Sequence, residues 1–170
     1  ELFVSDIDGK FIQQINRGSA ERAREVKWLS DNKTLLFTQT KDGYQNLYTI
    51  AADGNGGLKQ LTNDKGDDRS LVFNKDRTKA VYLSGRDEVR LLDLKTMNGK
   101  TIVKDEIWGL ESSVPGFSPN DEYVVFTAHR NFEQDIFIYN IKENKTTNLT
   151  NTGVTEAGPV WWPDGKYIYF

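Results

Sequence analysis

The stretch Trp161-Trp-Pro-Asp-Gly-Lys-Tyr-Ile-Tyr-Phe170 sets an aromatic residue, a polar turn and a β-rich run ending in a second aromatic nine positions on. Three earlier stretches repeat it: Trp28-Leu-Ser-Asp-Asn-Lys-Thr-Leu-Leu-Phe37, Phe73-Asn-Lys-Asp-Arg-Thr-Lys-Ala-Val-Tyr82 and Phe117-Ser-Pro-Asn-Asp-Glu-Tyr-Val-Val-Phe126. Their first aromatics lie 45, 44 and 44 residues apart. A period of that length with strand-type content is the signature of a radial β repeat.

A second landmark precedes or follows each copy. It reads Leu2-Phe-Val-Ser5, Leu47-Tyr-Thr-Ile50, Val89-Arg-Leu-Leu92 and Ile136-Phe-Ile-Tyr139. These are short β-branched and aromatic runs bounded by turn residues. Each leads through a turn such as Asp8-Gly9, Asp53-Gly54 or Asn98-Gly99 into a further short strand. Asp-Gly and Asn-Gly tolerate the positive φ of tight hairpins.

Lettered from the inside outwards, the chain therefore predicts strands C-D, then A-B-C-D three times, then A-B. Four-stranded antiparallel meanders at this spacing are the blades of an all-β propeller. Three complete blades are expected at 24–62, 69–104 and 113–150, with half-blades at 1–16 and 157–170, the whole forming one region over 1–170. The terminal halves are complementary, so a closed four-bladed ring and a fragment of a larger propeller both satisfy the pattern. Both ends fall inside strand patterns, which favours the fragment.

Bulk composition agrees. Only 37% of the 170 residues are hydrophobic, but 12% are aromatic, and large aromatics bury much area per residue. The net charge is −3 with both signs interspersed, which leaves no basic footprint for nucleic acid. No run has the length of a transmembrane helix, so membrane insertion is not expected. The chain lacks cysteine, which removes disulfides and thiolate metal sites without choosing a compartment.

Trp162-Pro-Asp-Gly-Lys-Tyr-Ile168 closely resembles the core of the TolB-like propeller repeat; the other three copies are degenerate versions of it. Gly43-Tyr-Gln-Asn-Leu-Tyr-Thr-Ile-Ala-Ala-Asp-Gly54, Leu61-Thr-Asn-Asp64 and Leu149-Thr-Asn-Thr-Gly-Val-Thr-Glu156 are similar to segments of bacterial, particularly Bacteroidetes-type, tricorn-like serine peptidases. That resemblance implies a propeller preceding a PDZ domain and a serine-containing catalytic domain, in the periplasm or outside the cell. It implies a scaffold that gates peptides towards chemistry elsewhere. The alternative is a TolB-like periplasmic propeller that binds a protein partner, with no peptidase. An independent four-bladed sugar-binding propeller would require ring closure.

Catalysis within the segment is not expected. His129 is the one histidine, no serine sits in a Gly-x-Ser-x-Gly elbow, and a triad needs hydroxyl, base and carboxylate together. No cofactor is expected. Asp6-Ile-Asp8-Gly9 and Asp64 to Asp68 have calcium-like spacing but complete no calcium loop; as turn residues they would bond their own backbone. The repeated aromatics, Trp28 and Phe117 included, are expected as core.

The D-to-A loops are the expected partner or peptide face: 17–24, 63–69, 105–112 and 151–157. Arg22, Arg24, Asp68, Arg69, Trp108, Glu111 and Glu156 are its candidate residues. Trp108 stands out as a large aromatic in a polar loop, suited to anchoring a partner. Arg24 and Arg69 occupy matching positions four before the first aromatic, where they would select anionic peptide ends or pair with nearby acids.

Overall fold

In the computed structural model, residues 1–16, 21–104, 108–110, 113–130 and 132–170 are described. They form sixteen strands and no α-helix. Two compact units divide at Arg69, Glu1–Arg69 and Ser70–Phe170.

In the first unit, β1 (Phe3–Ser5) and β2 (Ile12–Gln14) make a two-stranded antiparallel sheet, and β3 (Ala23–Trp28), β4 (Thr34–Lys41), β5 (Tyr44–Ala51) and β6 (Lys59–Gln60) a four-stranded one. The second four-stranded sheet runs β7 (Arg69–Phe73), β8 (Lys79–Ser84), β9 (Glu88–Asp93) and β10 (Asn98–Val103). The third runs β11 (Gly116–Phe117), β12 (Tyr123–His129), β13 (Gln134–Asn140) and β14 (Lys145–Asn148). A two-stranded sheet of β15 (Val160–Trp161) and β16 (Ile168–Tyr169) follows.

Every four-stranded sheet is a meander whose neighbours in space are neighbours in sequence. These are the blades of an all-β propeller. A closed four-bladed ring would join the outer halves in one four-stranded sheet. Instead β1–β2 and β15–β16 are separate two-stranded sheets, so the fold is an unclosed propeller segment.

The turn between the first two strands of each copy explains the repeated motif. The residue four after the first aromatic has positive φ in all four copies: Asn32 (53°), Arg77 (56°), Asp121 (59°) and Gly165 (73°). Its amide donates to the carbonyl three residues back: to Leu29, Asn74, Ser118 and Trp162, at 2.9–3.1 Å. A second bond closes the loop, from Leu29 N to Thr34 O and likewise from Asn74, Ser118 and Trp162 to Lys79, Tyr123 and Tyr167. Only Gly165 adopts this conformation without steric cost; asparagine and aspartate visit it more readily than arginine.

Turn carboxylates complete the same geometry. Asp31 accepts from the amides of Lys33 and Thr34 and from the Thr34 hydroxyl, and the Thr34 hydroxyl leads in holding its carboxyl below the usual carboxylate range. Asp76 is lowered chiefly by the Thr78 hydroxyl, and Asp93 by the Thr96 amide.

Central strands are buried on both faces. Thr34–Lys41 and Tyr123–His129 each carry a run of five buried residues where a one-sided sheet would alternate. Three of the four second aromatics lie in that interior: Phe37 and Phe126 are fully buried and Tyr82 is 2% exposed, whereas Phe170, expected as core, is 60% exposed. Phe37 faces Tyr48 across the β4–β5 ladder, with ring centroids 6.2 Å apart. Phe126 faces Phe137 across β12–β13 at 5.7 Å and 8°. In the second unit Phe126 and Phe137 join Val81, Leu83, Val89 and Leu110 in a core between two blades.

The first aromatics differ from the expected core role. Trp28 is 42% exposed, while Phe73, Phe117 and Trp161 are half-buried. Phe117 packs on the rim of the core. The cause is strand position: β3, β7, β11 and β15 each pair with one strand only, so their side chains lack a neighbour on the second edge.

Glu88 shows how charge is accommodated. Burial raises its pKa, but hydrogen bonds from Lys104 and Arg90 together outweigh it and the net shift is downward. The guanidinium lies 2.6 Å from Oε2 and the Lys104 ammonium 2.9 Å from Oε1.

Two outcomes follow from this packing. Phe37→Ala and Phe126→Ala should each cost about 3–5 kcal/mol, and Trp28→Ala about 1 kcal/mol or less because much of its ring stays in water; urea denaturation midpoints measure all three. A carboxyl with a depressed folded pKa contributes stability that is present above its unfolded value, near ~4.3, and lost as pH falls through the folded one. Stability should therefore fall below about pH 4, and Glu88→Gln should show a smaller loss over the same range in parallel thermal melts.

Candidate functional site

Two of the D-to-A loops, 63–69 and 151–157, are tied to their blades by one repeated clasp. In the first unit, Leu47 N donates to Thr62 Oγ1 at 2.8 Å, and Thr62 Oγ1 donates to Asp68 Oδ2 at 2.5 Å. Asp68 N donates to Gln45 O, and Gln45 Nε2 returns a bond to Asp68 O at 2.6 Å. In the second unit Ile136 N donates to Thr150 Oγ1, Glu156 N to Gln134 O and Gln134 Nε2 to Glu156 O at 2.9 Å. The Glu156 carboxylate accepts from the Thr152 hydroxyl. Asp68 and Glu156 both stand five residues before the first aromatic of their copy.

Six of the seven candidate residues have a described place. Asp68 is fully buried and Glu156 is 8% exposed, so both carboxylates sit inside the clasp. Arg22 and Arg24 are exposed, with Arg24 on β3 accepting a hydrogen bond at its carbonyl from Thr38 Oγ1. Arg69 is half-buried and its Nη1 donates to Asp67 O. Matching register thus puts Arg24 in solvent and Arg69 against its own loop. Glu111 lies outside the described residues.

Trp108 is 47% exposed and is held from behind. It forms an isolated antiparallel bridge with His129: Trp108 N donates to His129 O at 3.0 Å, and His129 N to Trp108 O at 2.8 Å. The two rings stack at 4.8 Å and 25°. Gly109 follows with φ +70°, and a Cβ there would stand 2.2 Å from His129 Nδ1. The loop therefore needs glycine at 109 for its backbone and for the imidazole beside it. His129 Nδ1 is buried and accepts or donates no hydrogen bond. Among the described residues no carboxylate bonds Nδ1 to orient the ring as a triad base requires.

The calcium-like segments bond backbone amides, within local turns for Asp6 and Asp64 and across to β5 for Asp67. Asp6 Oδ1 accepts from Phe11 N, Asp64 Oδ1 from Gly66 N and Asp67 Oδ1 from Gln45 N. Among the described residues no three acidic or histidine side chains gather as metal ligands, and no helix is long and apolar enough to cross a membrane.

The sequence reading missed the Gln45 and Gln134 arms of the clasp and the Trp108–Gly109–His129 stack. The first had a signal in the acids five before the aromatic. The second had none, because 108 and 129 are joined only by folding.

Gly109→Ala tests the stack. It should lower stability by about 1–3 kcal/mol through left-handed strain and shift the Trp108 indole N–H resonance, read by thermal melts and NMR.

No protein-family model matches the chain. It is 26% identical over 177 aligned residues to Tol-Pal system protein TolB of Francisella tularensis subsp. mediasiatica, covering all of this chain and 40% of that protein. It is 24% identical over 164 residues to a protein of Sulfurisphaera tokodaii named as a tricorn-like protease C-terminal subunit, covering 96% of this chain and 18% of that one. The chain thus spans about 40% of the length of the TolB relatives it matches.

Solved structures show the same fold. TolB from Acinetobacter baumannii superposes with a TM-score of 0.64 at 20% identity, over 98% of this chain and 41% of that one. The tricorn protease superposes at 0.74 and 17%, over 98% of this chain and 16% of that one. The fold is thus that of a β-propeller segment, and in sequence the chain is similar both to TolB and to a tricorn-like protease subunit.

Proposed function

We propose that this segment is a non-catalytic scaffold that gates peptides towards a catalytic domain of a tricorn-like serine peptidase, in the bacterial cell envelope or outside the cell. On this reading residues 1–170 act as one propeller region whose D-to-A loops form the peptide face. The observation that carries it is Trp108: a large aromatic held half-exposed by a two-bond bridge and a stacked imidazole. Preordered aromatics of this kind bind without losing much side-chain entropy. Exposed Arg22 and Arg24 add positive charge for peptide carboxylates, and Arg69, Asp68, Glu111 and Glu156 are the remaining candidate residues of the face. The likeness to a tricorn-like subunit supports the peptidase context.

A second reading has its own support. The likeness to a Tol-Pal system protein covers the whole chain, which favours a propeller that docks a folded protein partner in the envelope, with no peptidase. A serine-containing catalytic domain in the same polypeptide or complex would separate the two.

Titrating the isotope-labelled chain with a tryptic casein digest tests the peptide face. Amide shifts should cluster at residues 22–24, 67–70, 108–110 and 151–157. Trp108→Ala should weaken binding about tenfold, roughly 1.4 kcal/mol, with little change in melting temperature. Shifts absent from these loops would refute the peptide face. Digest hydrolysis blocked by a serine-directed inhibitor would refute the non-catalytic role.

A further inference from the structure

Successive blades meet near their outer strands in a cleft, and each unit contains one version of it. In the second unit the cleft between β10 and the β13–β14 hairpin is filled. Lys100 Nζ donates to Tyr139 OH at 3.1 Å and to Asn144 Oδ1 at 3.2 Å, and the ammonium sits 5.6 Å from the Tyr139 ring centroid. The ladder registers identify the matching positions in the first unit. Lys100 pairs with Leu91 in β9 as Gln13 pairs with Val4 in β1. Tyr139 follows Phe137 by two as Ile50 follows Tyr48, and Asn144 corresponds to Asn55. A lysine–tyrosine plug is replaced by glutamine and isoleucine.

The result is a cavity of about 360 Å³ lined by Gln13, Gln14, Asn16, Ile50 and Asn55 among others. That volume is at the small end of the ~300–1,000 Å³ of ligand pockets. Gly54, with φ +76°, forms part of its wall beside the Ile15 backbone, which a Cβ there would meet at ordinary contact distance. Asn16 is 3% exposed; its Oδ1 accepts from Leu2 N at 2.7 Å, and its Nδ2 has no partner. A buried donor left unsatisfied is costly, so an acceptor entering the cavity gains a hydrogen bond at little cost.

The lining also selects the ligand. It contains no lysine or arginine, and its one carboxylate, Asp53, accepts from the backbone and side chain of Asn55. Nothing there compensates a charged ligand. Carboxamides donate and accept together, which matches groups that do the same, namely hydroxyls, over an aliphatic wall.

We infer that the cleft between β2 and the β5–β6 hairpin is a binding site for a short neutral saccharide, recognised by Gln13, Asn16 and Asn55. None of these residues belongs to the proposed peptide face, so the two readings stand or fall separately.

The test uses saturation-transfer NMR on the whole chain with maltose and cellobiose as probes at millimolar concentration. Wild type should transfer saturation to at least one. Asn16→Asp, which keeps the Leu2 bond but removes the free donor, should weaken that binding about tenfold. Gln13→Lys, which rebuilds the bridge to Asn55 seen at Lys100, should abolish it, with melting temperature and circular dichroism unchanged. Saturation of neither disaccharide by wild type, or equal transfer in folded Gln13→Lys, would overturn the inference; the cavity would then hold solvent only.

Discussion

The cross-strand pairing of aromatics at the centre of the first and third four-stranded blades is the contact on which the rest depends. Phe37 against Tyr48 and Phe126 against Phe137 join the two central strands of a blade and fill the layer towards the next. A thin sheet with few apolar residues needs large ones where both faces are covered. Once these strands are placed, the outer and inner strands are edges, and edges are where side chains become available to solvent. That division separates structural residues from candidate functional ones.

The loops inherit their shape from this frame. Strand ends present backbone groups that sheet pairing leaves over, and the Gln–acid clasp satisfies them for the 63–69 and 151–157 loops with the same residue types. Buried carboxylates in such a place act on their own backbone. The exposed chemistry moves to Trp108, Arg22 and Arg24, and Trp108 gains its orientation from the bridge and ring stack with His129.

Repetition also makes departures visible. Lys100 and Tyr139 fill a cleft that the register-matched Gln13 and Ile50 leave open. Different side chains at corresponding positions turn a packed seam into a cavity while both pairs of strands stay antiparallel. A propeller can in this way acquire a binding site between blades while its meanders stay intact.

The blade architecture was legible because strand alternation, turn chemistry and a 44–45-residue period are local properties that recur four times in register. Gly165 and Asn32 announce left-handed turns by residue type alone. Other features were not local. Whether the first aromatic is buried depends on how many strands flank its own, so Trp28 lies open while Phe37, nine residues later, is sealed. Asp68 and Arg24 looked alike as charged loop residues until the fold buried one against Gln45 and left the other in solvent. The Trp108–His129 stack and the cleft at Gln13 exist only where distant segments meet. The sequence by itself determined strands, turns and the repeat, because each rests on backbone preferences within about ten residues. Tertiary structure decided burial, clasp and cavity, because those depend on which surfaces folding brings face to face.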